Sequence, residues 1–229
     1  QGEFEYIPMK TKVALFLLLI IGFIQAQKRP DLARFKTTQE KLSAWEKYCK
    51  ALTEEEKYSL LITETDIGIN LSKNLPEFLA QFYFFKGYGY EYTNNQYVKA
   101  VMYYEKSLEL AQKYKNLRLE TSNLMRLNYM YYSVKDHEKG RKLIEYVKSI
   151  VDTVKDQDSK ATMLGSIGEY YLDRSEFENF ITYKLKAINL LLADKKPDEM
   201  KVNNIGVSYL QIADAYNDMG QYEKTLEYC

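Results

Sequence analysis

The chain has 229 residues, with 32 basic and 32 acidic side chains and a formal net charge of zero. That balance excludes the clustered Lys and Arg excess that nucleic acids or an anionic membrane surface require, and an aromatic content of 14% excludes a disordered chain. Four prolines and ten glycines fit a mostly helical fold, and the two cysteines, Cys49 and Cys229, have no CxxC or metal-ligand spacing and stand too far apart in a stacked fold to favour a disulfide.

The first eight residues precede Met9 and read as upstream sequence outside the fold. Met9-Lys10-Thr11-Lys12 opens a basic start, Val13 to Ile24 is an unbroken apolar run, and Gln25-Ala26-Gln27 closes it. This is the layout of a secretory signal peptide over residues 9–26, with cleavage after Ala26. An uncleaved anchor is the alternative, although the run is shorter than the roughly 20 residues of a membrane span. No cysteine follows the run, which argues against a lipid anchor. The expected location is therefore exported, periplasmic or extracytoplasmic, with membrane association only through this leader or a span beyond residue 229. Residues 27–40 are polar, contain Pro30 and read as a linker, with Thr37 or Thr38 placed to cap the first helix.

From residue 41 onward a pattern returns about every 40 residues. Tyr58, Tyr97, His137, Phe177 and Tyr222 fall in step, and three residues after each come Leu61, Ala100, Gly140, Phe180 and Thr225. Ahead of each pair lies a bulky residue: Trp45, Phe84, Leu124, Leu164 or Tyr209. Four places on comes a mostly small or modest residue (Cys49, Tyr88, Asn128, Gly168, Ala213), and three further on Leu52, Glu91, Tyr131, Tyr171 or Tyr216. Spacings of three, four and seven put these on one helical face. A second helix follows each in-step aromatic, with a small residue at Gly68, Ser107, Val147 or Ala187 that lets helices approach. Thr53-Glu54-Glu55-Glu56 and Ser175-Glu176-Phe177-Glu178 match capping boxes at the intervening turns, and Asn95 and Gly220 mark two others. The units span about 42–78, 81–117, 121–157, 161–197 and 206–229, with a longer loop around Asp194 to Met200 that contains Pro197. Such a period predicts an all-α stack of helix pairs, each too small to bury its own apolar face.

The slots resemble the tetratricopeptide repeat family. Trp45 stands in its Trp slot, Gly168 in its Gly slot, Tyr131, Tyr171 and Tyr216 in its Tyr slot, and Ala100 and Ala187 in its Ala slots. The stretch Tyr209 to Tyr228 is the closest single match, and the units are longer than the minimal repeat, as in bacterial regulators and motor light chains. The resemblance implies a right-handed superhelix (an α-solenoid) of about five antiparallel helix pairs. Its concave face, lined by the first helices, would bind a protein or peptide and no nucleic acid. On that face the register places Phe85, Gly89, Tyr92, Met125, Arg126, Tyr129, Tyr132, Glu169 and Asp214. The Lys/Asn clamp that some family members use for a C-terminal carboxylate is absent. A signal peptide followed by such repeats also resembles the sensory front of membrane-bound bacterial sensor kinases and DNA-binding regulators. Repeat arrays end in a solvating cap, so an end at Cys229 leads one to expect a longer protein.

No catalytic residue, metal site or cofactor is expected. His137, the only histidine, has no second His or Cys beside it and reads as a helix-start residue. Cys49 reads as a packed, inert thiol, and Cys229 as lying on the buried side of the last helix. Gly87-Tyr88-Gly89 lacks the remainder of a phosphate loop, and Glu54 to Glu56 suit a helix start. Arg126→Glu is expected, on sequence alone, to spare folding while weakening binding.

Overall fold

The computed structural model describes residues 28–93 and 96–229. The leader at 9–26, the residues before it and Asn95 lie outside the described residues. Five antiparallel helix pairs follow one another: α1 (Thr38–Glu54) with α2 (Tyr58–Leu71), α3 (Pro76–Glu91) with α4 (Tyr97–Lys113), and α5 (Leu117–Ser133) with α6 (His137–Ile150). Then come α7 (Gln157–Leu172) with α8 (Phe177–Leu192), and α9 (Glu199–Asp218) with the short α10 (Tyr222–Tyr228). No strand occurs among the described residues. Each first helix packs on its own partner and on the pair before it, so the stack is an α-solenoid.

The in-step residues of the sequence are the first residues of the second helices: Tyr58, Tyr97, His137, Phe177 and Tyr222. The residue three places on donates its backbone N–H to the carbonyl of the N-cap residue, as from Leu61 to Lys57 (2.9 Å) and from Phe180 to Glu176 (3.1 Å). The repeat thus records where each second helix starts.

The turns are made differently from the expected capping boxes. Thr53 lies inside α1 and donates its hydroxyl to the Lys50 carbonyl (2.6 Å), and neither α2 nor α8 has a side-chain cap. Instead Glu56, Lys135, Ser175 and Gly220 take φ of 56°, 60°, 57° and 71°. The next N–H then reaches back five residues, from Lys57 to Leu52 (2.9 Å), Asp136 to Tyr131 (2.8 Å), Glu176 to Tyr171 (2.9 Å) and Gln221 to Tyr216 (2.9 Å). This is the Schellman closure, which satisfies carbonyls that a helix end would leave open. One residue serves both as its last member and as the N-cap of the next helix, so the connection is very short. Elsewhere side-chain caps do appear. Thr37 and Glu40 form a capping box on α1, and Asn116, Asp156 and Asp198 cap α5, α7 and α9.

The core runs along the whole stack. Trp45, Leu52, Leu61 and Phe82 fill its first part, and the Trp45 indole N–H donates to the Glu64 carbonyl (2.8 Å). Tyr104, Leu124, Leu127, Met130 and Ile167 fill its middle, and Phe180, Ile188 and Ile212 its last part. Full burial of side chains of this size contributes about 1.5–3 kcal/mol each. A polar thread crosses three helices: Ser107 Oγ donates to the Ala80 carbonyl and accepts from Asn123 Nδ2, both at 2.8 Å. The stretch before α1 is docked rather than loose. Arg29 Nε donates to Glu64 Oε2 (3.1 Å) and its guanidinium lies 5.2 Å from the Trp45 ring centre. Cys49 is buried, and burial with nearby Glu64 and Glu46 pushes its thiol up to about 12, which makes it inert. Cys229 is exposed, contrary to expectation, because α10 is a short helix with no buried residue.

The left-handed turn residues give a direct test. A side chain at positive φ costs about 1 kcal/mol that glycine avoids. Lys135→Gly is expected to raise unfolding stability by about 0.5–1 kcal/mol and Gly220→Ala to lower it by a similar amount, read from urea midpoints at constant slope.

Candidate binding groove

A groove of about 540 Å³ opens where α3, α5 and α7 lie side by side, with Tyr97 at the start of α4 on its rim. Its floor is ionic. Glu91, the last residue of α3, stands in the slot that other units fill with Leu or Tyr, and its side chain is 4% exposed. Tyr104 donates its phenol to Glu91 Oε2, and Arg126 Nη1 donates to Glu91 Oε1 (3.0 Å) and to the Tyr92 phenol (3.1 Å). The guanidinium also lies 4.8 Å from the Tyr88 ring centre. Tyr92 in turn stacks on Tyr58 at 5.0 Å. Burial lowers the Arg126 pKa, but Glu91 and then the surrounding phenols more than offset it, so the side chain stays charged. Burial first, and Glu91 second, raise the Tyr104 phenol well above its usual range, which keeps it a donor.

The walls differ from the floor in being open. Met125 and Tyr129 on α5 are exposed, and Asn128 beneath them donates to the Ser166 carbonyl of α7 (3.1 Å), which fixes the width. On the far wall Glu169 and Asp173 project from one face of α7, four residues apart. Glu169 accepts an ion pair from Lys184 of α8, while Asp173 has no ion-pair partner among the described residues. Burial, and after it Glu169, raises Asp173 to about 6. It also caps the C-terminal end of α7, where the helix dipole disfavours negative charge.

Of the residues placed on the concave face by register, Tyr92, Met125, Arg126, Tyr129 and Glu169 line this groove. Phe85 does not: it is 6% exposed and packs with Trp45 and Leu61 in the core. Gly89 does not either, because α3 presses there against α2, and a Cβ would stand 2.7 Å from Ile62. Tyr132 is exposed but turns its ring to the edge of His137 (6.5 Å), and Asp214 is exposed on α9 away from the groove. Five lining residues were not singled out: Glu91, Tyr97, Asn128, Ser166 and Asp173. A carboxylate in a slot otherwise filled by Leu or Tyr was the available signal for Glu91, and the i+4 spacing from Glu169 for Asp173. Arg126→Glu, read from the sequence as sparing the fold, is expected from this geometry to destabilise it. It would set two carboxylates together where one is already buried, and losing one partner of a buried pair costs about 3–5 kcal/mol.

Among the described residues, no group of three or more His, Cys, Asp or Glu could hold a metal, and no helix is long and apolar enough to cross a membrane. No family model and no curated protein matches the sequence. Solved structures do match. The apo form of RapI superposes with a TM-score of 0.63 at 18% identity, over 83% of this chain and 50% of its own. BtubC (BKLC) from P. vanneervenii gives 0.65 at 11%, over 95% and 82%. The nearly identical TPR-like repeats of a kinesin light chain from Podosopora anserina give 0.61 at 12%, over 85% and 93%. At these identities the likeness establishes the fold, a right-handed TPR-like superhelix. The chain spans half the length of the RapI structure.

Asp173 tests the electrostatics of the groove. A carboxyl raised from its ordinary value near 3.8 to about 6 favours the fold fully below the lower value, and that contribution is lost as pH rises through the upper one. Asp173→Asn is therefore expected to stabilise the protein at pH 8, by about 1 kcal/mol after discounting for its partial exposure. The gain should vanish at pH 4, and equal midpoints for the two proteins at both pH values would refute the assignment.

Proposed function

We propose that the chain is an exported binding module whose concave groove takes a protein segment or peptide, and that it acts by binding rather than by catalysis. TPR-like superhelices generally serve protein–protein interaction. The observation that carries the reading to this chain is the contrast between floor and walls. The Glu91–Arg126–Tyr104 network holds the floor rigid, while Tyr129 is 51% exposed and Met125 39% exposed above it. Exposed aromatic and thioether side chains over a preorganised base are what binding anchors look like, because little ordering remains to be done when a partner arrives.

A second reading keeps the same groove but gives it a different output. An apolar leader, Val13 to Ile24, followed by repeats supports an extracytoplasmic sensor region of a membrane-bound signal-transduction protein. In that reading the groove senses a partner and a kinase or DNA-binding region elsewhere in the protein responds.

Tyr129→Ala is expected to weaken a verified partner at least tenfold while shifting the unfolding midpoint by less than about 0.5 kcal/mol, the usual range for surface substitutions. Unchanged affinity in calorimetry would remove this groove from the site. Export has its own check. Protein recovered from expressing cells should begin at Gln27, and a protein retained inside the cell with Met9 still present would refute the leader.

A further inference from the structure

Resting on the peptide-binding reading of the groove, we propose that its occupant is a protein or peptide segment that seats a Lys or Arg side chain between the Glu169–Asp173 wall and the Tyr97–Tyr129 wall. The charged residues that line the groove are Glu91, Arg126, Glu169 and Asp173. Glu91 and Arg126 pair in the floor, Nη1 to Oε1 at 3.0 Å. What remains facing the opening is a net negative charge: Glu169, 36% exposed and ion-paired to Lys184, and Asp173 beside it with no ion-pair partner among the described residues. The chain as a whole is neutral, so this sign is a local property of the groove.

The position of Asp173 points to a ligand because it lines the opening without an ion pair among the described residues. It is half-buried, it adjoins another carboxylate, and it sits at the wrong end of a helix dipole. Its neighbour Arg174 attracts it weakly but forms no ion pair with it, being stacked 3.6 Å over the Tyr170 ring with Nη1 donating to the Tyr170 carbonyl (2.9 Å). A group that costs stability and lines an open groove is the pattern of a residue kept for binding. An incoming cation would supply the missing partner. The opposite wall suits the same guest, since phenol rings attract a cation through their faces and Met125 offers cover for its methylene stem. Two carboxylates are too few for a metal centre, and a phosphate-bearing or nucleic-acid guest would be repelled.

The test is display selection of randomised 12-residue peptides on the full chain, followed by affinity measurements on the winners. Support consists of Lys or Arg recurring at one peptide position, with a loss of about tenfold when that residue becomes Met and a similar loss with Asp173→Asn. Affinity should also fall as salt rises, and Asp173→Lys should select Asp or Glu at the same peptide position. Asp173→Asn is expected to be at least as stable as the parent at neutral pH, so misfolding does not confound its arm. Peptides that need Tyr129 but ignore Asp173→Asn, or that carry acidic residues at the fixed position, would overturn the cation while leaving the groove in place. Peptides indifferent to both substitutions, or no peptide at all, would overturn the groove as well.

Discussion

The structure depends on aromatic rings seated directly on glycine backbones between neighbouring helices. Phe82 of α3 lies over Gly68 of α2, where an added Cβ would stand 2.4 Å from the ring, and Tyr104 of α4 lies over Gly87 of α3, where it would stand 2.8 Å away. Alanine would improve helix propensity by about 1 kcal/mol at such a position, but overpacking costs about 1–3 kcal/mol, so glycine wins. The close approach has a functional consequence. By letting the Tyr104 ring sit hard against α3, Gly87 allows its phenol to reach Glu91 and to serve as one of the two donors that hold that carboxylate. The groove floor is therefore a product of how tightly α3 and α4 pack.

A buried ion pair of this kind contributes little net stability, because desolvating both charges offsets most of their attraction. Its effect is geometric. Glu91 ends α3 and Arg126 sits in the middle of α5, so their contact fixes the second helix pair against the third at the groove. The Asn128 bond to Ser166 does the same between the third pair and the fourth. Both ties run between units, not within them. The groove thus spans three units, and no isolated repeat contains it.

Periodicity made the helix starts legible because each in-step residue follows a fixed turn, and Tyr58, His137 and Phe177 mark their helices without ambiguity. It could not reveal the turns. Glu56, Lys135 and Ser175 adopt positive φ although none is Gly or Asn, so the backbone is dictated by the helices on either side and not by residue type. It also could not separate Gly89 from Tyr129. The two share a register slot, yet one is pressed against Ile62 and the other is open, because a helical face says which residues point together and not what the neighbouring unit brings to them. The pairing of Glu91 with Arg126 was beyond reach for the same reason, being a contact between residues 35 apart in different units.

Zero net charge over the chain does not fix the sign of any one face. Lysines of the second helices lie over tyrosine rings: Lys99 is 5.2 Å from Tyr90, Lys106 5.4 Å from Tyr103, Lys148 4.7 Å from Tyr171 and Lys186 5.0 Å from Tyr183. The carboxylates of Glu169 and Asp173 face the groove on the first-helix side. Cation–π contacts of this type contribute about 0.5–1 kcal/mol each and use the abundant tyrosines to do so. A partner meets the local field of the face it approaches and not the sum over the chain. The composition that excluded a nucleic-acid footprint is thus compatible with a charged recognition surface, because helices of both kinds carry both signs and only the local arrangement sets the field at the groove.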